Sequence, residues 1–229
     1  KTATTHDPQP PPPSVEQIRT LLLDHAVGEF DYALVQTVPK SRSPIYDNAT
    51  EAAHAILSGY KKVREAAGRE GPFRIRVSDS QTLFAAQGVL AAETVRLINA
   101  GTKIGDIRQR ISDLTPKTTG YAVVPDLYYV HKRARKKGDK SVGFVGALMG
   151  SALDIKPILC ARRDQTFPVA KVRGFESAVE KMFAHACQCV EDGLLTPIVC
   201  VSYAGDPDAA FQMPGFNALK AATEKHDVQ

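Results

Sequence analysis

Asp79 and Ser80 end a β-branched run and precede a long apolar helical pattern within residues 73–101, FRIRVSDSQTLFAAQGVLAAETVRLINAG. Strand, polar turn and helix is how open α/β sheets build binding sites, because strand ends and helix N-termini converge there. The first helical turn offers unpaired backbone N–H groups and the positive end of a dipole, which suits an anion. No Gly-rich cradle is present, so a nucleotide is not indicated. The competing local role for Asp79-Ser80 is an N-cap pair for that helix, the commoner use of such residues. Ser43 lies in a second turn, PKSRSP, directly after another apolar run. It is a candidate hydroxyl donor to an anion, set against the more usual role of a turn or capping serine. No His stands at a motif spacing from it, so a nucleophilic serine is unsupported.

The third chemical feature is a basic run at residues 131–140, HKRARKKGDK, with six Lys or Arg and one acid. Most such runs are solvated faces. One guanidinium turned toward a site would hold a carboxylate or phosphate bidentately, and Arg135 and Arg173 are the candidates. His6, His131 and His185 are scattered and form no metal set. His185, among apolar helix residues, reads as structural. Cys160, Cys187, Cys189 and Cys200 lack metal-site spacing and read as free thiols of a reducing compartment.

These residues need elements to position them. Residues 1–13 are Pro-rich and carry no apolar period, so a loop is expected. Ser14 and Gln17 form a capping box for a helix reaching about Ala26. Residues 30–38 read as a buried strand and 48–67 as a helix with Ala52, Ile56, Tyr60 and Val63 on one face. A strand at 73–78 leads into the helix near 85–100. Thr102 is the expected cap of a further helix carrying Ile104, Ile107, Ile111 and Leu114. Short strands are expected at 121–124, 155–160, 169–172 and 197–203. Pro157 marks the second of these as an edge or a bend. Residues 142–153, VGFVGALMGSAL, are apolar with Gly143, Gly146 and Gly150, which permits close packing or approach to a ligand. Helices at 176–191 and 217–225 complete the pattern, with Gly193 ending the first. The alternation of helices and strands gives an α/β class.

With 229 residues and 43% hydrophobic composition, one large domain or two lobes is expected. The net charge of +4 sits partly in the basic run, so a general nucleic-acid-binding role is not indicated. No apolar run of about 18 residues is present, so no membrane span is expected. The chain starts without Met and ends on Asp227-Val228-Gln229, which reads as the beginning of another strand. Both ends of the natural protein are expected to lie outside this sequence.

Several motifs in order resemble the DegV family of bacterial fatty-acid-binding proteins. Val77-Ser78-Asp79-Ser80 is similar to a family strand ending in Asp-Ser. Residues Asp126 to Arg135, DLYYVHKRAR, resemble a D-x-L-x-Y-L-K-K-G-G-R segment. Residues Gly150 to Leu159, GSALDIKPIL, resemble G-S-x-L-x-I-K-P-I-L, and Val172-Arg173-Gly174 a V-R-G segment. Ser43-Pro44-Ile45-Tyr46 aligns with the family's S-G-T-Y, with Pro44 in place of its glycine. Thr2 aligns with the threonine of the family's T-S-Q-P.

The resemblance implies two α/β lobes: a parallel-sheet lobe and a second lobe with a mixed or antiparallel sheet, with the ligand between them. The lobes are expected at residues 1–119 and 120–229. It also implies a buried long-chain fatty acid as ligand and no cofactor, with the carboxylate presented to a separate fatty acid kinase subunit. The implied ligand-binding residues are Thr2, Ser43, Asp79, Ser80 and Arg135, with none catalytic and none binding metal. A cytoplasmic carrier is the reading. Its rival is an α/β transferase or hydrolase using Asp79, Ser80 and Arg135 on a small anionic substrate. A third reading makes the basic run a patch for nucleic acid or anionic lipid.

Overall fold

A computed structural model describes residues 11–128, 131–132 and 154–229. Contacts divide the chain into two compact units, Lys1–Ser80 and Gln81–Gln229. The lobes expected at 1–119 and 120–229 differ from this division in where the two helices after residue 81 are counted.

The first unit opens with helix α1 (Val15–Leu22), and both halves of the Ser14–Gln17 capping box are formed. The chain then winds through a wider π turn at Leu23–Val27. Strand β1 (Tyr32–Thr37) follows, then helix α2 (Ile45–Ala55). The single helix expected over 48–67 is two. A tight turn at Ile56–Ser58 and Gly59 separate α2 from α3 (Tyr60–Ala66). Glycine costs more to hold in a helix than other residues do, so the break falls there.

Strand β2 (Arg74–Asp79) pairs with β1 in parallel, in a register running from Tyr32↔Arg74 to Thr37↔Asp79. Parallel pairing requires a crossover, and α2 and α3 supply it. Leu22, Val27, Ile56 and Phe73 form the buried core of this unit, with Ala33 and Ile75 of the strands packed against it.

One buried cation organises the same unit. Arg64 is only 2% exposed. Its Nε donates to Gly71 O (2.9 Å), its Nη1 to Val27 O (3.1 Å) and Phe30 O (2.8 Å), and its Nη2 to Glu70 O (2.8 Å) and Asp31 Oδ1 (2.7 Å). All five guanidinium N–H groups are thereby used. They tie the end of the π turn, the entrance to β1 and the loop before β2 to one side chain.

The second unit contains helices α4 (Ala86–Asn99) and α5 (Ile104–Leu114) and an antiparallel sheet. The sheet has the order β3 (Gly120–Val123), β4 (Ile155–Arg162), β5 (Gln165–Arg173). Helices α6 (Phe175–Asp192), α7 (Pro207–Phe211) and α8 (Phe216–Lys225) follow. The fold class is therefore mixed α/β, as the alternation of elements implies, with a parallel and a separate antiparallel sheet, as the family resemblance implies. Val179, Phe183 and Val190 of α6 form the second core with Leu219 of α8. Each such side chain contributes roughly 1.5–3 kcal/mol on full burial. Gly193 ends α6 with φ 94°, a conformation few other residues adopt.

Two local expectations are corrected, the cap at Thr102 and the strand at 197–203, and the bend expected at Pro157 is present as a bulge. Thr102 is not the cap of α5: Lys103 holds that position and makes no side-chain capping bond. Pro157 lies in the middle strand of the sheet. It sits one residue before the point where β3 begins to pair, Val123↔Ile158, so only β5 flanks it there. A bulge between Ile158 and Leu159 follows at once, which is where a strand tolerates proline. Residues 197–203 form no strand. Among the described residues only Gln229 pairs with them, donating N–H to Pro197 O (2.9 Å) and accepting at its own carbonyl from Val199 N–H (2.8 Å). A β-branched run without a full partner strand satisfies its backbone in other ways.

Glu93 is a buried ion of the second unit. Its side chain has no exposure, yet every oxygen is partnered. Arg96 binds it in a fork, Nε to Oε2 at 2.7 Å and Nη2 to Oε1 at 3.0 Å. Arg110 Nε donates to Oε1 (3.3 Å) and Thr196 Oγ1 donates to Oε2 (2.7 Å). The carboxylate thus clamps α4, α5 and the segment before Pro197 together. The Arg96 contact, with help from Thr196 and Arg110, holds its pKa below the ordinary value, against the opposing effect of burial.

Candidate functional site

In a parallel strand pair both carboxyl ends lie on one edge, and ligands of open α/β sheets bind outside that edge. Here the edge is set by Thr37 and Asp79, which face each other across the ladder. Thr37 is buried, and its hydroxyl donates to Val38 O (3.0 Å) and Ser78 O (3.4 Å). Ser80 N–H donates to Thr37 O (3.2 Å), which extends the pairing one residue beyond the strands. Ser80 is buried, and Asp79 is half-buried.

The segment leaving β1 runs from this edge to α2. It contains a turn closed by Arg42 N–H donating to Pro39 O (2.8 Å). Ser43 comes next, and its Oγ accepts from Ile45 N–H (3.4 Å) at the start of α2. A hydroxyl that accepts in this way still has its hydrogen to donate outward. Helix α2 packs on both strands, so its N-terminus lies at the same edge. Pro44 occupies the cap position, has no N–H and makes no side-chain capping bond. The remaining first-turn amides have no carbonyl partner within the helix and point to where an anion would sit.

The structure therefore brings Ser43, Asp79 and Ser80 to one edge of the first unit. The capping role for Asp79-Ser80 is overturned. Helix α4 starts at Ala86 with Ala85 as its cap residue, six residues beyond Asp79. Residues 81–85 intervene, with Gln81 and Phe84 at φ 52° and 60°. The buried hydroxyl of Thr82 donates to Ala161 O (3.1 Å) within the second unit. Gly120 belongs to the same packing, because a Cβ there would run into the carbonyl oxygen of Leu83.

Thr2, Arg135 and the Gly-containing segment 142–153 lie outside the described residues. Arg173 is exposed at the end of β5, in the second unit. Thr37 was missed by sequence reasoning. The one available signal was a threonine as the last residue of a buried strand.

The other chemical candidates are quiet. His185 Nε2 shares a 3.0 Å hydrogen bond with Tyr121 OH, and the two rings meet edge to face at 5.0 Å. Cys189 Sγ approaches the same nitrogen at 3.7 Å. Burial pushes the thiols of Cys160, Cys189 and Cys200 up, which keeps them protonated and poorly nucleophilic. Among the described residues no three His, Cys, Asp or Glu gather as a metal-holding group.

The chain thus comprises a parallel α/β unit with polar groups at its carboxyl edge and a separate antiparallel α/β unit. The family described as "Uncharacterised protein, DegV family" matches residues 2–228. A DegV domain-containing protein of Xanthomonas campestris pv. campestris is 48% identical over 98% of this chain and 71% of its own length. One from Xanthomonas axonopodis pv. citri is 47% identical over the same shares. The chain belongs to the DegV family.

Among solved structures, a stearic acid-binding protein from Eubacterium ventriosum superposes with a TM-score of 0.71 at 18% identity. The match covers 93% of this chain and 67% of that one. The fatty acid binding DegV family protein from Streptococcus agalactiae gives a TM-score of 0.67 at 21% identity, over 99% and 72%. These likenesses establish the shared fold.

Proposed function

We propose that the protein binds a long-chain fatty acid, with its carboxylate at the carboxyl edge of β1 and β2 and its acyl chain in a buried apolar tunnel. The observation that carries this reading is the placement of Ser43, Asp79 and Ser80 on one edge in a chain of the DegV family. Solved relatives named for stearic acid and for heptadecanoic acid support it. Burial of an acyl chain gains roughly 0.8 kcal/mol per methylene, enough for micromolar binding or better after association costs. Thr2 and Arg135 complete the proposed ligand set. Arg135 acts when a separate fatty acid kinase phosphorylates the presented carboxylate, where a guanidinium offsets developing charge. The protein itself is proposed to be a cytoplasmic carrier without catalysis or cofactor. Among the described residues no helix is long and apolar enough to cross a membrane. The rival enzyme reading needs a general base beside a nucleophile. Ser43 hydrogen-bonds no histidine or carboxylate among the described residues.

Ser43→Ala tests the site. Loss of a hydroxyl donor to a buried carboxylate costs about 1–3 kcal/mol of binding. Titration with palmitate should show that weakening, with the unfolding midpoint unchanged. Wild-type affinity in the variant would remove Ser43 from the head-group site.

A further inference from the structure

His185 and Cys189 stand one turn apart on α6, at i and i+4, so their side chains share one face of the helix. Cys189 Sγ lies 3.7 Å from His185 Nε2, and the hydroxyl of Tyr121, on β3, lies 3.0 Å from the same nitrogen. Three polar atoms from two elements converge there. An imidazole nitrogen offers a single site, either a lone pair or an N–H, so it cannot bond fully to both neighbours. Burial keeps the thiol of Cys189 and the phenol of Tyr121 protonated, so two hydrogens compete for one lone pair.

A cation in place of the thiol hydrogen removes that competition. Zn–S and Zn–N bonds of about 2.3 and 2.0 Å at a tetrahedral angle put sulfur and nitrogen roughly 3.5 Å apart, close to the separation of Sγ and Nε2. Thiolate with imidazole selects a thiophilic ion over magnesium or calcium. The charge of Asp192 acts on Cys189 and adds attraction for a cation. His185 is exposed and Cys189 half-buried, so an ion enters from solvent. No third His, Cys, Asp or Glu joins the pair among the described residues, which leaves the remaining coordination positions to water. The hydroxyl of Tyr121 is placed to hydrogen-bond one such water.

We infer that Cys189 Sγ and His185 Nε2 form a two-ligand, solvent-open site for zinc(II) on the second unit. Binding releases the thiol proton to solvent and leaves the thiolate on the metal. The inference is independent of the fatty-acid reading. Its test uses cobalt(II) as a coloured probe, because a thiolate ligand gives that ion a charge-transfer absorption, and reads zinc by its displacement of cobalt. Reduced protein without a histidine tag should bind one cobalt per chain with that absorption, and zinc should remove it while magnesium does not. Cys189→Ser should abolish the absorption. His185→Gln, at an exposed position, should weaken cobalt by more than about ten-fold, since even outer-shell partners of a metal carry that much. It keeps the test available if the cysteine variant folds poorly. Cys187→Ser, which alters a neighbouring thiol on the same helix, should leave both readings unchanged. A wild type without the thiolate absorption, its survival in Cys189→Ser, or an unchanged affinity in His185→Gln overturns the inference.

Discussion

Arg64→Ala should lower the unfolding free energy by about 3–5 kcal/mol, the range for removing one member of a buried, fully bonded ionic network. The substitution deletes five hydrogen bonds at once and leaves the carbonyls of Val27, Phe30, Glu70 and Gly71 to find other donors. Buried carbonyls without partners are costly, and the cavity left by the side chain adds to the loss. Arg64→Lys should be nearly as damaging, because three donors on a point charge cannot reproduce a five-donor fork. Asp31→Asn should cost little, since Asp31 is 63% exposed and its pairing is screened by water. Chemical denaturation of the three variants gives the order directly. A loss below 1 kcal/mol for Arg64→Ala would show that the surrounding loops do not depend on this side chain.

Glu93→Ala should cost about 2–3 kcal/mol at neutral pH. The usual cost of breaking a buried pair is higher, but Arg96 and Arg110 are each about two-fifths exposed and recover water when the carboxylate goes. Thr196 and the α4–α5 contact carry most of the damage. Glu93 also makes stability depend on pH. Its folded pKa lies below the ordinary value of 4.5, chiefly because of Arg96. The unfolded chain therefore takes up this proton first as pH falls. The stabilisation is complete above the unfolded pKa and is lost as pH drops through the folded one. Asp31, lowered first by Arg64, adds to the same trend. Melting wild type and Glu93→Gln between pH 7 and pH 3 should show a gap that narrows below about pH 4.5. A gap that stays constant would contradict the role of the ionised carboxylate.

Much of this fold could be read from residues. The capping box at Ser14–Gln17, the strand ending in Asp79-Ser80 and the inward face of α6 follow from side-chain chemistry and spacing. Those signals are local, so the sequence displays them. The failures have a common cause in long-range pairing. Residues 197–203 have strand composition, but a strand needs a neighbour, and among the described residues only Gln229 pairs with them. Asp79-Ser80 looks like a cap because helix caps are common beside such residues. Residues 81–85, held on the second unit by Thr82, push the helix start to Ala86.

The buried roles of Arg64 and Glu93 were equally hidden. A lone Arg or Glu in an amphipathic helix normally marks a solvated face, and their partners lie up to 103 residues away. The site was half legible. Ser43, Asp79 and Ser80 follow from strand ends and family resemblance, whereas Thr37 becomes visible only once the parallel ladder that pairs it with Asp79 is seen.

The central claim is that this chain carries a fatty acid. Native mass spectrometry of the purified protein, followed by organic extraction and mass analysis of the released material, tests it most directly. One long-chain fatty acid per chain, displaced by added palmitate, is the predicted result. Protein that arrives without lipid, and takes up no palmitate when it is offered, would contradict the account.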